Sequence, residues 1–336
     1  MHPIICRLIT LFILNKEKRK EFRKKHEIRK FRKKHKKKKN HFLKKFFWFQ
    51  ELKHDLETIQ KIQKFTIDIT KLPPATGNLK MVQDCSVAIL NYFDKICKKH
   101  NIQYWLDSGT LIGHTRHNGF IPWDDDIDIC MMRDDYEKLP NILDNEFKKD
   151  GFFWRDGEII QLFFKNCPAQ VDIFPMDSGN QIEPPQGEEY NQFLSCLNEI
   201  KSHMDFDSTK WKQKQCPVSE EYLTYCFKTR DEKLVPNKIK NGFIFYGVET
   251  GVNNRSCFSH SDIFPLEKIS FYEIETYKPQ NSDYYLFCQY GDFMTLPQNY
   301  SSNHGACLAN YLDENNYKNC QELIKNYYPK VEKNEN

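Results

Sequence analysis

Trp105 to Met131 reads WLDSGTLIGHTRHNGFIPWDDDIDICM, bringing a glycine-bearing turn, an arginine and a run of carboxylates together within 27 residues. Side chains two apart on a strand share a face, so Asp126 and Asp128 point together while Ile127 and Ile129 point into the core. Such a pair can grip a hard divalent cation, Mg2+ or Mn2+, whose remaining positions are filled by water and substrate phosphates. Asp124 has the same parity at the strand entrance and reads either as a further metal ligand or as a solvated strand end; Asp125 has the opposite parity and is excluded. The plain alternative for this cluster is an acidic turn or helix cap. Two features favour the cation. Carboxylates this close repel one another, and Trp123, Ile127, Ile129 and Met131 lower the local dielectric and worsen that repulsion. Val171-Asp172-Ile173 then repeats the signature, an acid between β-branched apolar neighbours on a strand where a lone charge would be costly, which makes Asp172 a third candidate.

Ser108, Gly109 and Thr110 precede the acids at a turn entering a helix. Glycine lets the backbone approach a ligand, and amides at a helix start form an anion site, so this turn can cradle donor phosphates. Arg116 is placed to offset phosphate charge through its planar fork, with a surface or ion-paired role as the competing reading; for His117 the surface role is favoured.

The elements that must position these groups follow from periodicity. Leu79 to Lys99 carries an apolar helical face, Gln103 to Leu106 reads as a short strand, Gly109 to Arg116 as a turn entering a helix, and Asp126 to Met131 as the next strand. A helix is expected over Arg133 to Lys148, a strand pair over Ile159 to Lys165 and Gln170 to Phe174, and helices around 186–204 and 219–232. Strands alternating with helices imply an α/β (α+β) core, a mixed sheet flanked by helices with helical additions.

The total charge of +4 hides an asymmetry. Residues 16–45 carry 18 Lys/Arg against 3 Glu, and with Arg7 this gives +16, so the chain from Phe46 onward is at −12. An acidic folded part argues against nucleic acid as a partner. The basic tract, interleaved with Phe22, Ile28, Phe31 and the aromatic cluster Phe42 to Phe49, reads either as a solvated charge run or as a segment resting on anionic headgroups through residues 16–49. Pro3 to Leu14 is apolar but shorter than the roughly 20 residues of a spanning helix. The twelve cysteines include no CxxC pair, so no zinc knuckle is written; they fit lumenal disulfides or buried free thiols equally well. The expected organisation is a short apolar segment (1–15), a basic tract (16–50), a helix and linker (51–77) and a catalytic domain (78–330).

These motifs resemble the LicD family, which includes fukutin and the fukutin-related protein. GTLIG at Gly109 to Gly113, Arg116, GFIPWDDDIDI at Gly119 to Ile129, VDIFPM at Val171 to Met176 and YGDFMTLP at Tyr290 to Pro297 fall in the family's order. The resemblance implies a nucleotidyltransferase fold. It also implies transfer of a phospho-alcohol or phospho-sugar unit from a CDP-linked donor, of CDP-choline or CDP-ribitol type, to a hydroxyl of a glycan or glycoconjugate. It gives Asp126, Asp128 and Asp172 the metal-binding and catalytic roles; which carboxylate accepts the attacking hydroxyl's proton does not follow from the family, and Asp172 is the candidate. It makes Tyr290-Gly291-Asp292 a site wall and adds Lys278 as a donor-phosphate candidate. Golgi or other endomembrane association is expected from the family, with the cytoplasm as the alternative. The competing functions are transfer of the nucleotide itself, within the same fold, and a non-catalytic membrane-surface adaptor driven by the basic tract.

Overall fold

The computed structural model describes residues 68–237, 239–250, 256–296, 312 and 314–329, together with Lys20 and Lys24. The apolar segment 3–14, the basic tract as a whole and most of the 51–77 helix and linker lie outside the described residues. Every element named below belongs to one compact unit, residues 69–294 with 301–336. Among the described residues no helix is long and apolar enough to cross a membrane.

Helix α1 (Gly77–His100) buries Val82, Cys85, Ile89 and Phe93 and ends at Asn101 in the left-handed conformation, after Lys98, Lys99 and His100 in its last turn, where cations suit the carbonyl end. β1 (Trp105–Leu106) leads into α2 (Ser108–His117), closed by a left-handed Asn118. β2 (Ile127–Met132) is followed by short helices α3 (Arg133–Tyr136) and α4 (Leu139–Ile142) and a π turn (Leu143–Phe147). The single helix expected over Arg133 to Lys148 is therefore broken, because Pro140 has no N–H to donate and disfavours helical geometry in the residue before it.

β3 (Phe152–Arg155), which the sequence reading left unassigned, pairs antiparallel with β4 (Ile160–Phe164), which pairs in turn with β5 (Gln170–Ser178). β5 continues through Pro175, where the expected strand stopped. Pairing with β4 ends at Ile173 and pairing with β6 (Ile244–Tyr246) begins at Met176, so the proline falls at the handover, where no ladder bond needs its missing N–H. Helices α5 (Gly187–Ser202), α6 (Ser208–Lys212) and α7 (Glu220–Thr229) lie between β5 and β6 in the chain. β7 (Cys257–Phe258), α8 (His260–Ile263), the hairpin β8 (Glu267–Phe271) and β9 (Ile274–Lys278), α9 (Ser282–Tyr290) and α10 (Glu314–Tyr327) complete the unit.

The main sheet runs β1-β2-β5-β4-β3, with β6 beside β5 and β7 beside β6. β2 and β5 form its parallel pair; its other pairings are antiparallel, so this is a mixed sheet in an α/β frame. Ile127, Ile129, Val171 and Ile173 are fully buried between α1 and the sheet, as the near-continuous apolar runs of a central parallel pair require. A second cluster around Phe193, Ile200, Tyr222 and Phe245 seats α5 and α7.

Candidate functional site

The parallel register of β2 and β5 sets Ile127 opposite Val171, Asp128 opposite Asp172 and Ile129 opposite Ile173. The isoleucines and valine turn inward, and both acids take the other face. Asp126, one residue before β2, completes a set whose carboxylate oxygens lie within 4.8 Å of one another; Asp124, Asp125 and Asp126 form a second such set, sharing Asp126. Asp125, excluded on strand parity, is thus drawn in, because it precedes β2 and strand alternation does not apply to it. Five acids form one continuous strip.

The strip is held from several sides. The Asp128 N–H donates to Thr110 Oγ1 at 2.8 Å, and the Asp107 N–H donates to the Asp128 carbonyl at 3.0 Å. Beneath the loop, Gln83 Nε2 on α1 donates to the Asp124 carbonyl at 2.8 Å, and Ser86 Oγ donates to the Asp125 carbonyl at 3.3 Å. Asp172 accepts from Gln161 Nε2 at 2.8 Å and Gln170 Nε2 at 3.3 Å. Two glycines permit the close packing of α2. A Cβ at Gly109 would stand 2.6 Å from Asp124 Oδ2, and one at Gly113 would stand 2.4 Å from the Gly119 carbonyl oxygen.

The acids raise one another's pKa values. Burial, then the charge of Asp126, raises Asp172 to about 8. Burial, then Asp126, Asp172, Asp124 and Asp107, raises Asp128 well above the carboxylate range, and burial with Asp126 and Asp125 does the same to Asp124. Among the described residues no lysine or arginine forms an ion pair with Asp128 or Asp172. Arg155 pulls Asp172 down electrostatically, yet its Nη1 donates to the carbonyls of Trp211 and Gln215 at 3.1 and 3.2 Å. Clustered carboxylate oxygens are the donor set of a hard divalent ion, and Asp126, Asp128 and Asp172, with Asp124 beside them, are the residues that could hold one.

The other expected site residues divide. Ser108 and Gly109 open α2 beside Asp124, and α2 starts at Ser108, so Gly109 lies inside its first turn. Thr110 is 1% exposed and its hydroxyl is spent on the Asp128 amide, a positioning role. Arg116 is buried and turned to the C-terminal segment, where Nη1 donates to the Phe293 carbonyl, while Nε donates to His117 Nε2 at 3.0 Å. Burial pulls Arg116 down to about 10, and burial with that neighbouring guanidinium pulls His117 down to about 4. Lys278 pairs with Glu267 across the β8–β9 hairpin at 3.0 Å. No described contact brings Arg116 or Lys278 to the acids.

Asp107 was missed in the sequence. Fully buried, it accepts from the phenols of Tyr246 (2.7 and 2.8 Å) and Tyr285 (2.7 Å) and from Ser108 Oγ (3.0 Å). An aspartate at a helix N-cap usually bonds the first-turn amides, but here the tyrosines take its carboxylate and it makes no cap bond, so those amides stay available to an anion. Tyr290 closes α9 and is half-exposed, with its phenol near the charges of Asp107, Asp128 and Asp124 beside the same strip.

Residues 101–192 match the family model described as LicD/FKTN/FKRP, nucleotidyltransferase domain. The chain is 54% identical over 91 residues to the lipopolysaccharide cholinephosphotransferase LicD of Haemophilus influenzae, covering 25% of this chain and 34% of that protein. It is 40% identical over 80 residues to an uncharacterized protein of Rickettsia typhi, 24% of this chain and 25% of that one. It is 26% identical over 99 residues to the ribitol 5-phosphate transferase FKRP of Mus musculus, 27% of this chain and 20% of that one. The chain spans about a third or less of the length of the curated relatives it matches.

Proposed function

We propose that this chain, whose residues 101–192 match the LicD family model, is a metal-dependent phosphotransferase, moving a phospho-alcohol or phospho-sugar unit from a CDP-linked donor to a glycan hydroxyl. The observation that carries this reading is the in-register pair Asp128 and Asp172, joined by Asp126 within 4.8 Å, with no described lysine or arginine paired to the first two. Asp172 is buried and Asp126 and Asp128 are half-buried, and carboxylates crowded this closely with no lysine or arginine on Asp128 or Asp172 favour a ligand cation as the counterion.

Asp126, Asp128 and Asp172 would hold Mg2+ or Mn2+, which when bound supplies charge neutralisation to the donor diphosphate. The first-turn amides of α2, which Asp107 does not cap, receive phosphate oxygens, and Gly109 lets the Asp124 carboxylate pack against that turn. Asp172 takes the proton of the attacking hydroxyl, its carboxylate oriented by Gln161 and Gln170. Thr110 and Asp107 fix the Asp128 backbone, so positioning and electrostatics do the work this kind of transfer requires.

The test is a donor panel, CDP-choline and CDP-ribitol with a glycan acceptor and Mn2+ or Mg2+, reading released nucleotide. CMP release that depends on the metal and disappears in Asp126→Asn supports the proposal. An acceptor carrying the cytidylyl group makes the protein a nucleotidyltransferase instead, and turnover undiminished by chelation removes the metal from the mechanism.

A further inference from the structure

Three cysteines from three separate elements meet in the core. Cys85 lies on the buried face of α1, Cys167 in the turn between β4 and β5, and Cys320 on α10, with exposures of 0%, 3% and 0%. Their sulfurs all lie within 4.8 Å of one another. Cys167 Sγ and Cys320 Sγ stand 3.4 Å apart, and Cys85 Sγ donates to the Cys320 carbonyl at 3.8 Å. That sulfur spacing is far longer than a disulfide bond of about 2.05 Å. It approaches the roughly 3.8–4.0 Å edge expected for thiolates that each sit about 2.3 Å from a shared cation.

We propose that Cys85, Cys167 and Cys320 form a buried three-thiolate site for a thiophilic closed-shell cation, Zn2+ or Cu+, that pins α10 to the body of the domain. Sulfur ligands separate this site chemically from the acid strip, whose oxygens select hard ions. Charge is arranged for it as well. Three thiolates around a divalent ion leave one net negative charge, and Lys214 stands by, its ammonium donating to the Cys167 carbonyl at 3.3 Å and lying 4.4 Å over the Phe163 ring. Binding releases the protons of the coordinating thiols to solvent as the metal–sulfur bonds form. The structural purpose is visible on α10. Toward its end it is held by Asn91 Nδ2 donating to the Tyr327 carbonyl at 2.8 Å and by the Tyr327 ring against Tyr92 and Phe152, whereas at its middle Cys320 and Leu323 are the fully buried side chains.

The experiment uses the full chain. Metal content as isolated is measured by mass spectrometry, and the reduced, metal-stripped protein is titrated with Co2+ as a zinc probe and with Cu+. The expected result is one zinc or copper per chain and a thiolate-to-cobalt charge-transfer band at one equivalent. The band is lost in Cys85→Ser, Cys167→Ser and Cys320→Ser and kept in Asp128→Asn. Loading raises the melting temperature and slows amide exchange in α10. The wild-type titration stands even where a serine variant does not fold. The proposal is overturned by a reduced, folded wild-type chain that gives no charge-transfer band and holds no metal, by a band that survives all three serine variants, or by a Cys167–Cys320 disulfide in metal-free protein as isolated.

Discussion

The two ends of the β2–β5 pair bury charge in opposite ways. At the start of the strands Asp126, Asp128 and Asp172 converge, and no described lysine or arginine pairs with the latter two. Past the other end, Arg133 follows β2 directly and grips Asp177 of β5 with Nε and Nη2, both at 2.9 Å, while its Nη1 donates to Glu249 at 2.6 Å; Arg230 adds a contact to Asp177 at 3.2 Å. All three central members are nearly inaccessible, at 5%, 4% and 2%. A charge buried to hold the fold brings its counterion in the chain, as a two-pronged arginine grip does here. Under the proposed function, the charge at the start of the strands is left for a ligand to neutralise.

The largest test of this contrast is Arg133→Met, which strands Glu249, leaves Asp177 with Arg230 alone and is expected to cost about 3–5 kcal/mol in chemical denaturation. A cost within the range of an ordinary surface change would erase the distinction between the two ends. At the opposite end, Asp128→Ala should leave the fold intact by circular dichroism and lower metal-dependent turnover by on the order of 10²–10³-fold; unfolding would mean that the strip is structural.

A third expectation concerns pH in the metal-free protein. Burial raises Asp172 from 3.8 to about 8, so between these values the folded chain keeps a proton that the unfolded chain has released. Its contribution therefore turns against folding as pH rises from about 4 to about 8 and is fully unfavourable above that window. The melting temperature of wild type relative to Asp172→Asn should fall across the window, and Mg2+ or Mn2+ should remove the slope; a difference that is flat or rising would contradict the raised carboxyl. The smallest effect is Thr110→Val, which deprives the buried Asp128 amide of its acceptor and should cost about 1–3 kcal/mol while weakening turnover through misplacement of Asp128. Unchanged stability and turnover would show that Thr110 does not set that strand.

How much of this could be read in advance depended on the range of the signal. The shared face of Asp126 and Asp128, the apolar flanks of Asp172 and the helix carrying Cys85 are local patterns, and the structure keeps each of them. Asp107 was illegible because its tyrosine partners lie 139 and 178 residues away, and Arg133 because Glu249 lies 116 residues on. The cysteine trio gave no spacing motif for the same reason: Cys167 and Cys320 are 153 residues apart. Strand parity does not reach Asp125, which precedes β2, and no described contact brings Arg116, placed by sequence order, or Lys278, placed by the family resemblance, to the acids. Where a side chain points is decided by its packing partners, which a linear pattern does not contain.

The parallel ladder itself has one further consequence. Asp128 and Asp172 are rungs of adjacent strands, so the gap between them is ruled by the interstrand spacing of about 4.8 Å and not by flexible arms. In the proposed metal site the backbone would act as a gauge for ionic radius. Lengthening either jaw by a single methylene, Asp to Glu, resets the gauge without changing the charge, so a change in which ion is preferred would register the width of the opening alone.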